Sequence, residues 1–108
     1  MSDKKILNRP SGDRKAVVAT EKTPEELVAK LGIDTLRERD DLDWYCGAQL
    51  VLNGLGPVLI MKHENNPRRL TALYVDSECD PNLAEECLIK FFGLSEADVV
   101  WRLSADVG

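Results

Sequence analysis

Apolar runs separated by turn residues dominate the centre of the chain. The runs cover residues 45–52, 58–63 and 70–76, and the breaks between them contain Asn, Gly and Pro. Apolar runs of this length bounded by such residues are typical of consecutive antiparallel strands joined by tight turns. The pattern therefore predicts an antiparallel β-meander in the middle of the chain.

A helix start precedes the meander. Thr23 can cap the helix, Pro24 suits its first position, and Glu26 lies three residues after Thr23, as a capping box requires. Leu27, Val28 and Leu31 then form an apolar stripe, and Gly32 is a typical left-handed stop. Residues 34–41 allow either a second short helix or an ordered loop.

A second, longer helix follows the meander. Asp80 and Pro81 repeat the cap-and-proline signal, and Gly93 marks the expected end. Apolar residues recur between them at helical spacing, namely Leu83, Ala84, Cys87, Leu88, Phe91 and Phe92. Shorter apolar runs at 15–19 and 97–103 predict a first and a last strand.

These elements predict the order β-α-β-β-β-α-β. We expect an α+β domain built as a two-layer sandwich, with two main helices on an antiparallel sheet of about four to five strands. Residues 1–14 are read as a flexible tail, 15–104 as a single domain and 105–108 as a frayed end.

Composition narrows the class of protein. The 108 residues are 44% hydrophobic and 31% charged, with a formal net charge of -5. The acidic balance disfavours a nucleic-acid binder, which needs a basic face, and favours a basic partner where charge matters. No apolar run is long enough for a membrane span, and the N-terminus shows no secretory pattern. An odd number of cysteines then favours a reducing, cytoplasmic location.

Cysteine and histidine chemistry has few candidates. Cys46 and His63 fall on adjacent predicted strands, and the hairpin places His63 roughly opposite Ala48 or Cys46. A thiol beside an imidazole is the start of a nucleophilic site. A buried cysteine is more often a small hydrophobic core residue. With Cys79 and Cys87 the chain has no metal-ligand spacing, so neither a metal nor a cofactor is predicted.

Two surface features suit a binding partner. Arg68 and Arg69 lie in the second predicted hairpin loop, where paired guanidinium groups can hold a carboxylate or a phosphate. Trp44 and Tyr45 begin a strand, so they point to opposite faces and one of them can lie outside the core. Both aromatic types are enriched at protein interfaces.

The sequence favours a small acidic, non-enzymatic interaction module of the bacterial type, such as an inhibitor, an immunity factor or a regulatory subunit. A homodimer formed through the sheet is a variant of this hypothesis. The alternative is a small ligand-binding protein or a thiol enzyme, with its site near Cys46, His63 and the Arg68–Arg69 loop. No motif identifies a family.

Overall fold

The computed structural model describes residues 14–39, 44–65 and 69–107, which form one antiparallel sheet and three short helices. The elements are β1 (Arg14–Thr20), α1 (Pro24–Val28), β2 (Leu36–Arg39), β3 (Trp44–Leu52), β4 (Gly56–His63), β5 (Thr71–Asp76), α2 (Pro81–Phe92), β6 (Val99–Arg102) and α3 (Leu103–Val107). The α+β class expected from the sequence is confirmed.

The sheet has six strands in the order β2-β3-β4-β5-β1-β6. Its first four members follow the chain, as a meander does. β1 then inserts between β5 and β6, and both of its pairings are antiparallel. The expectation of four to five strands was therefore too low, and β2 is the strand that it lacked.

β2 lies in the segment that the sequence assigned to a helix or a loop. Its residues Leu36–Arg39 carry three charges in a row, so they lack the alternation that signals a strand. Pairing with β3 supplies the backbone hydrogen bonds, and the charged side chains suit an exposed sheet edge. At the other end of the chain, residues 103–107 form α3, directly after β6.

Local signals place the helix starts correctly. The Thr23 side chain accepts from the Glu26 backbone, and the Glu26 side chain accepts from the Thr23 backbone, which confirms the capping box. α1 is nevertheless short and ends at Val28, while Gly32 adopts its left-handed φ of 71° in the turn beyond. α2 begins at the Asp80 cap and ends at Gly93 in the left-handed conformation, as predicted.

The core lies between the helices and one face of the sheet. Directly paired residues form a buried row across four strands, namely Ala48, Ile60, Leu73 and Val18. The buried helix residues that join the same cluster are Leu27 and Val28 of α1 and Ala84 and Leu88 of α2. Leu103 of α3 packs against this cluster as well. We call this side of the sheet the helix-side face.

No helix within the described ranges is both long enough and apolar enough to cross a membrane. The longest of them, α2, has 12 residues.

Candidate partner-binding site

Several charged and aromatic side chains suited to binding lie close together where β2 and β4 end and β3 begins. Trp44, the first residue of β3, pairs with Arg39 at the end of β2. The backbone of Glu64, just after β4, donates to the Trp44 carbonyl over 2.9 Å. Because paired residues of neighbouring strands share a face, this geometry places the side chains of Trp44 and Glu64 together on the helix-side face.

Arg37, Trp44 and Glu64 form a stacked surface group, which we call the Trp44 cluster. The Arg37 guanidinium lies 4.3 Å from the centre of the Trp44 ring. Its Nε and Nη2 donate to the two carboxylate oxygens of Glu64, the second over 3.0 Å. The tryptophan side of this arrangement is a cation–π contact, and the carboxylate side is a bidentate ion pair.

Next to the Trp44 cluster lies a partly buried thiol. Arg37 and Lys62 pair with Cys46 from its two sides, so the three residues form a row across β2, β3 and β4. The Cys46 thiol donates to the Glu25 carboxylate of α1 over 3.3 Å. The first turn of α1 is thereby tied to the strand that carries Trp44.

The contact between Cys46 and Glu25 moves their pKa values in opposite directions. Burial and the carboxylate of Glu25 raise the pKa of the Cys46 thiol. The hydrogen bond with Thr35 and the charge of Lys62 lower this pKa, but their effect is smaller. The pKa of Glu25 is lowered by its own backbone N–H and by the Cys46 thiol. A protonated thiol facing a carboxylate is therefore the stable state at neutral pH.

The structure does not bring Cys46 and His63 together. His63 pairs with Tyr45, one residue away from the predicted register, so His63 and Cys46 lie on opposite faces of the sheet. Tyr45 and His63 contact each other instead, with ring centroids 5.6 Å apart. Gly47 makes room for this arrangement, because a Cβ there would lie 3.3 Å from the Tyr45 ring and 2.7 Å from the Ile60 carbonyl oxygen.

The two residues of the predicted aromatic edge have different surroundings. Trp44 is 38% exposed, whereas Tyr45 is 4% exposed on the opposite face. Arg69 is exposed and has a positive φ of 54°, which is uncommon for a residue other than glycine. Arg68 lies outside the described residues, so the predicted arginine pair stays a prediction.

Sequence reasoning missed Arg37 and Glu64. Arg37 was hidden because its segment was not read as a strand, and Glu64 appeared to be an ordinary loop residue. Pairing β2 with β3 in a hairpin register would have placed Arg37 diagonally across from Trp44, within reach of its ring. The thiols also show no metal grouping, since no set of three ligand-type side chains converges within residues 14–39, 44–65 and 69–107.

Comparison with protein-family models, with curated proteins and with solved structures found no significant match to this chain. A function for this chain therefore has to be inferred from its own residues.

Proposed function

We propose that this protein is a small, non-enzymatic interaction module that binds a protein partner through the Trp44 cluster. The observation that carries the proposal is the Arg37 guanidinium, held between the exposed Trp44 ring and the Glu64 carboxylate. An inhibitor, an immunity factor or a regulatory subunit would use such a surface.

The composition of the Trp44 cluster is that of a binding hot spot. Tryptophan and arginine are the residue types that most often dominate the energy of protein interfaces. Here both are accessible at the edge of the sheet, and they are already fixed in one arrangement by the ion pair with Glu64. Binding of a partner would therefore cost little side-chain conformational entropy, because these side chains are already ordered.

Charge favours a basic partner. The chain carries a net charge of -5, and the connection between β2 and β3 contains Asp40, Asp41 and Asp43 in its sequence. Glu25 adds a carboxylate near the Trp44 cluster, and its lowered pKa keeps it ionised into mildly acidic solution. Complementary charge of this kind mainly accelerates association and excludes acidic competitors.

We propose no thiol chemistry at Cys46. A cysteine nucleophile needs a thiolate, which a neighbouring base or cation has to favour. Here burial and a neighbouring carboxylate raise the thiol pKa, and the sheet separates His63 from the sulfur. The arrangement suits a structural contact between α1 and β3.

The proposal is tested by recovering a stoichiometric partner on the immobilised chain and measuring its affinity for single-residue variants. Trp44→Ala and Arg37→Ala should each weaken binding by at least about tenfold, the usual effect of a hot-spot truncation. Val100→Ala is the matched control, since Val100 is 37% exposed on β6 at the opposite edge of the sheet. Equal affinity of Trp44→Ala and the native chain would refute the proposed surface.

A further inference from the structure

We propose that a second copy of this chain packs against the exposed side of α2, so that the protein forms an antiparallel α2–α2′ homodimer. This inference is independent of the Trp44 cluster, which lies at the β2–β3–β4 end of the sheet. The second copy would cover an apolar surface of α2 that the rest of the chain leaves exposed.

The surface is a stripe along α2. Leu83, Cys87 and Phe91 are spaced four residues apart, which places them along one side of the helix. Leu83 is 52% exposed and Phe91 is 45% exposed, although both are large apolar residues. Cys87 between them is partly buried. The stripe therefore borders the core but is not covered by it.

An apolar groove continues the stripe toward the sheet. The α2 residues Cys87 and Phe91 form one wall of this groove, and the opposite wall includes Leu31, Leu50 and Val51. Leu31 and Val51 are themselves exposed, which widens the apolar surface beyond the helix. A large side chain from a partner could fill this space.

The exposed stripe of α2 is complementary to the same stripe of a second copy that runs antiparallel to it. In this arrangement the two Cys87 residues lie opposite each other. Leu83 of each copy then lies beside Phe91 of the other. Such a contact is isologous, so a single two-fold axis generates it. The groove beside Phe91 then receives the second copy's Leu83.

Charge supports the same register. Glu86 and Lys90 lie next to the stripe on one side of α2 and are exposed. Within the described residues neither forms an ion pair. In the antiparallel pair the same sides of the two helices meet, so each Glu86 faces Lys90 of the other copy. In a parallel pair opposite sides of the two helices would meet, so Glu86 and Lys90 of one copy would lie away from those of the other and no such ion pair would form.

The test is the mass of the chain alone in sedimentation velocity, measured up to millimolar concentration. The native chain should dimerise, and Leu83→Glu should weaken the dimer by at least about tenfold because it places a charge against Phe91. Leu36→Glu is the matched control, since Leu36 is 50% exposed on β2 and pairs with Gly47, which places its side chain on the face of the sheet opposite the helices. Circular dichroism establishes that each variant is folded.

A charge exchange tests the register itself. Glu86→Lys and Lys90→Glu should each weaken the dimer several-fold, because each creates like-charged pairs across the axis. The double variant should restore the native affinity. A chain that stays monomeric throughout, a dimer that survives Leu83→Glu, or a double variant as weak as the single ones would overturn the proposal. None of these results depends on the partner of the Trp44 cluster.

Discussion

The acidity of the Cys46 thiol depends on its burial and on one residue of another element. Burial and the Glu25 carboxylate raise its pKa, while the same contact lowers the pKa of Glu25. Because Thr23 caps α1, the capping geometry also fixes the position of Glu25 in the first turn. The start of a helix thus contributes, together with burial, to the reactivity of a strand residue.

Replacing Glu25 should make Cys46 more reactive. Glu25→Gln removes the negative charge and the carboxylate acceptor, so the thiol pKa should fall toward its ordinary value of 9.0, although burial still holds it somewhat higher. Alkylation of Cys46 by iodoacetamide, followed by peptide mass spectrometry across pH, measures the change. Glu86→Gln, on the exposed side of α2, is the control. An unchanged Cys46 rate in Glu25→Gln would contradict the assigned contact.

The same pair sets the sign of a pH dependence. Since the Cys46 pKa is raised on folding, its contribution to stability is complete below pH 9.0 and is lost as pH rises through the folded value. Since the Glu25 pKa is lowered, its contribution is present above pH 4.5 and is lost as pH falls through the folded value. Both contributions are therefore present at neutral pH.

At the scale of the elements, the short helices depend on contacts outside themselves. α3 has five residues, too few to be stable alone. The buried Glu85 of α2 accepts from the backbone N–H and from the hydroxyl of Ser104, each over 2.7 Å. A carboxylate at this end satisfies an N–H that α3 leaves unpaired and suits the positive end of the helix.

Removing the Glu85 carboxylate should release α3. We expect Glu85→Ala to lower the free energy of unfolding by about 1.5–3 kcal/mol, the range for hydrogen bonds to a charged group. Amide hydrogen exchange should accelerate in α3 before it does so in the central strands. An exposed glutamate after α2 supplies the control, since Glu96→Ala should change stability by no more than about 0.5 kcal/mol. Unaltered exchange in α3 would argue against Glu85 as its anchor.

At the scale of the whole molecule, β1 joins parts that are distant in sequence. It pairs with β5 and with β6, so the first described strand is held by segments more than fifty residues away along the chain. Its Val18 is paired with Leu73, which is paired in turn with Ile60 of β4. This arrangement couples the meander to the C-terminal elements, and we expect the sheet to unfold as one unit.

The two tryptophans can test this cooperativity, since Trp44 lies on β3 near one edge of the sheet and Trp101 on β6 at the other. In each single-tryptophan variant, Trp101→Phe or Trp44→Phe, the urea midpoint measured by fluorescence should equal the midpoint measured by circular dichroism of the same variant. Leu73→Ala should lower both midpoints equally, with a loss of about 2–5 kcal/mol typical of a buried leucine. A fluorescence midpoint that differs from the circular-dichroism midpoint of the same variant would show that this edge of the sheet unfolds separately.

Features that depend on short-range interactions could be predicted from the sequence, whereas features that depend on long-range pairing could not. Helix starts and turns depend on neighbours within a few residues, so Thr23, Asp80 and Gly93 were placed correctly. β2 was missed because its charged residues form a strand only when β3 pairs with them. For the site, Trp44 was named, but its partners Arg37 and Glu64 were not.

By itself, the sequence determined the α+β class, the meander and the helix caps, because these follow from local patterns of apolar, turn and capping residues. The tertiary structure alone decided the insertion of β1 between β5 and β6, because strand pairing over such distances leaves no local mark. It also decided the one-residue register that turns His63 away from Cys46. A shift of one residue moves every side chain of a strand to the other face, so that detail separates a thiol–imidazole pair from a thiol tied to a carboxylate.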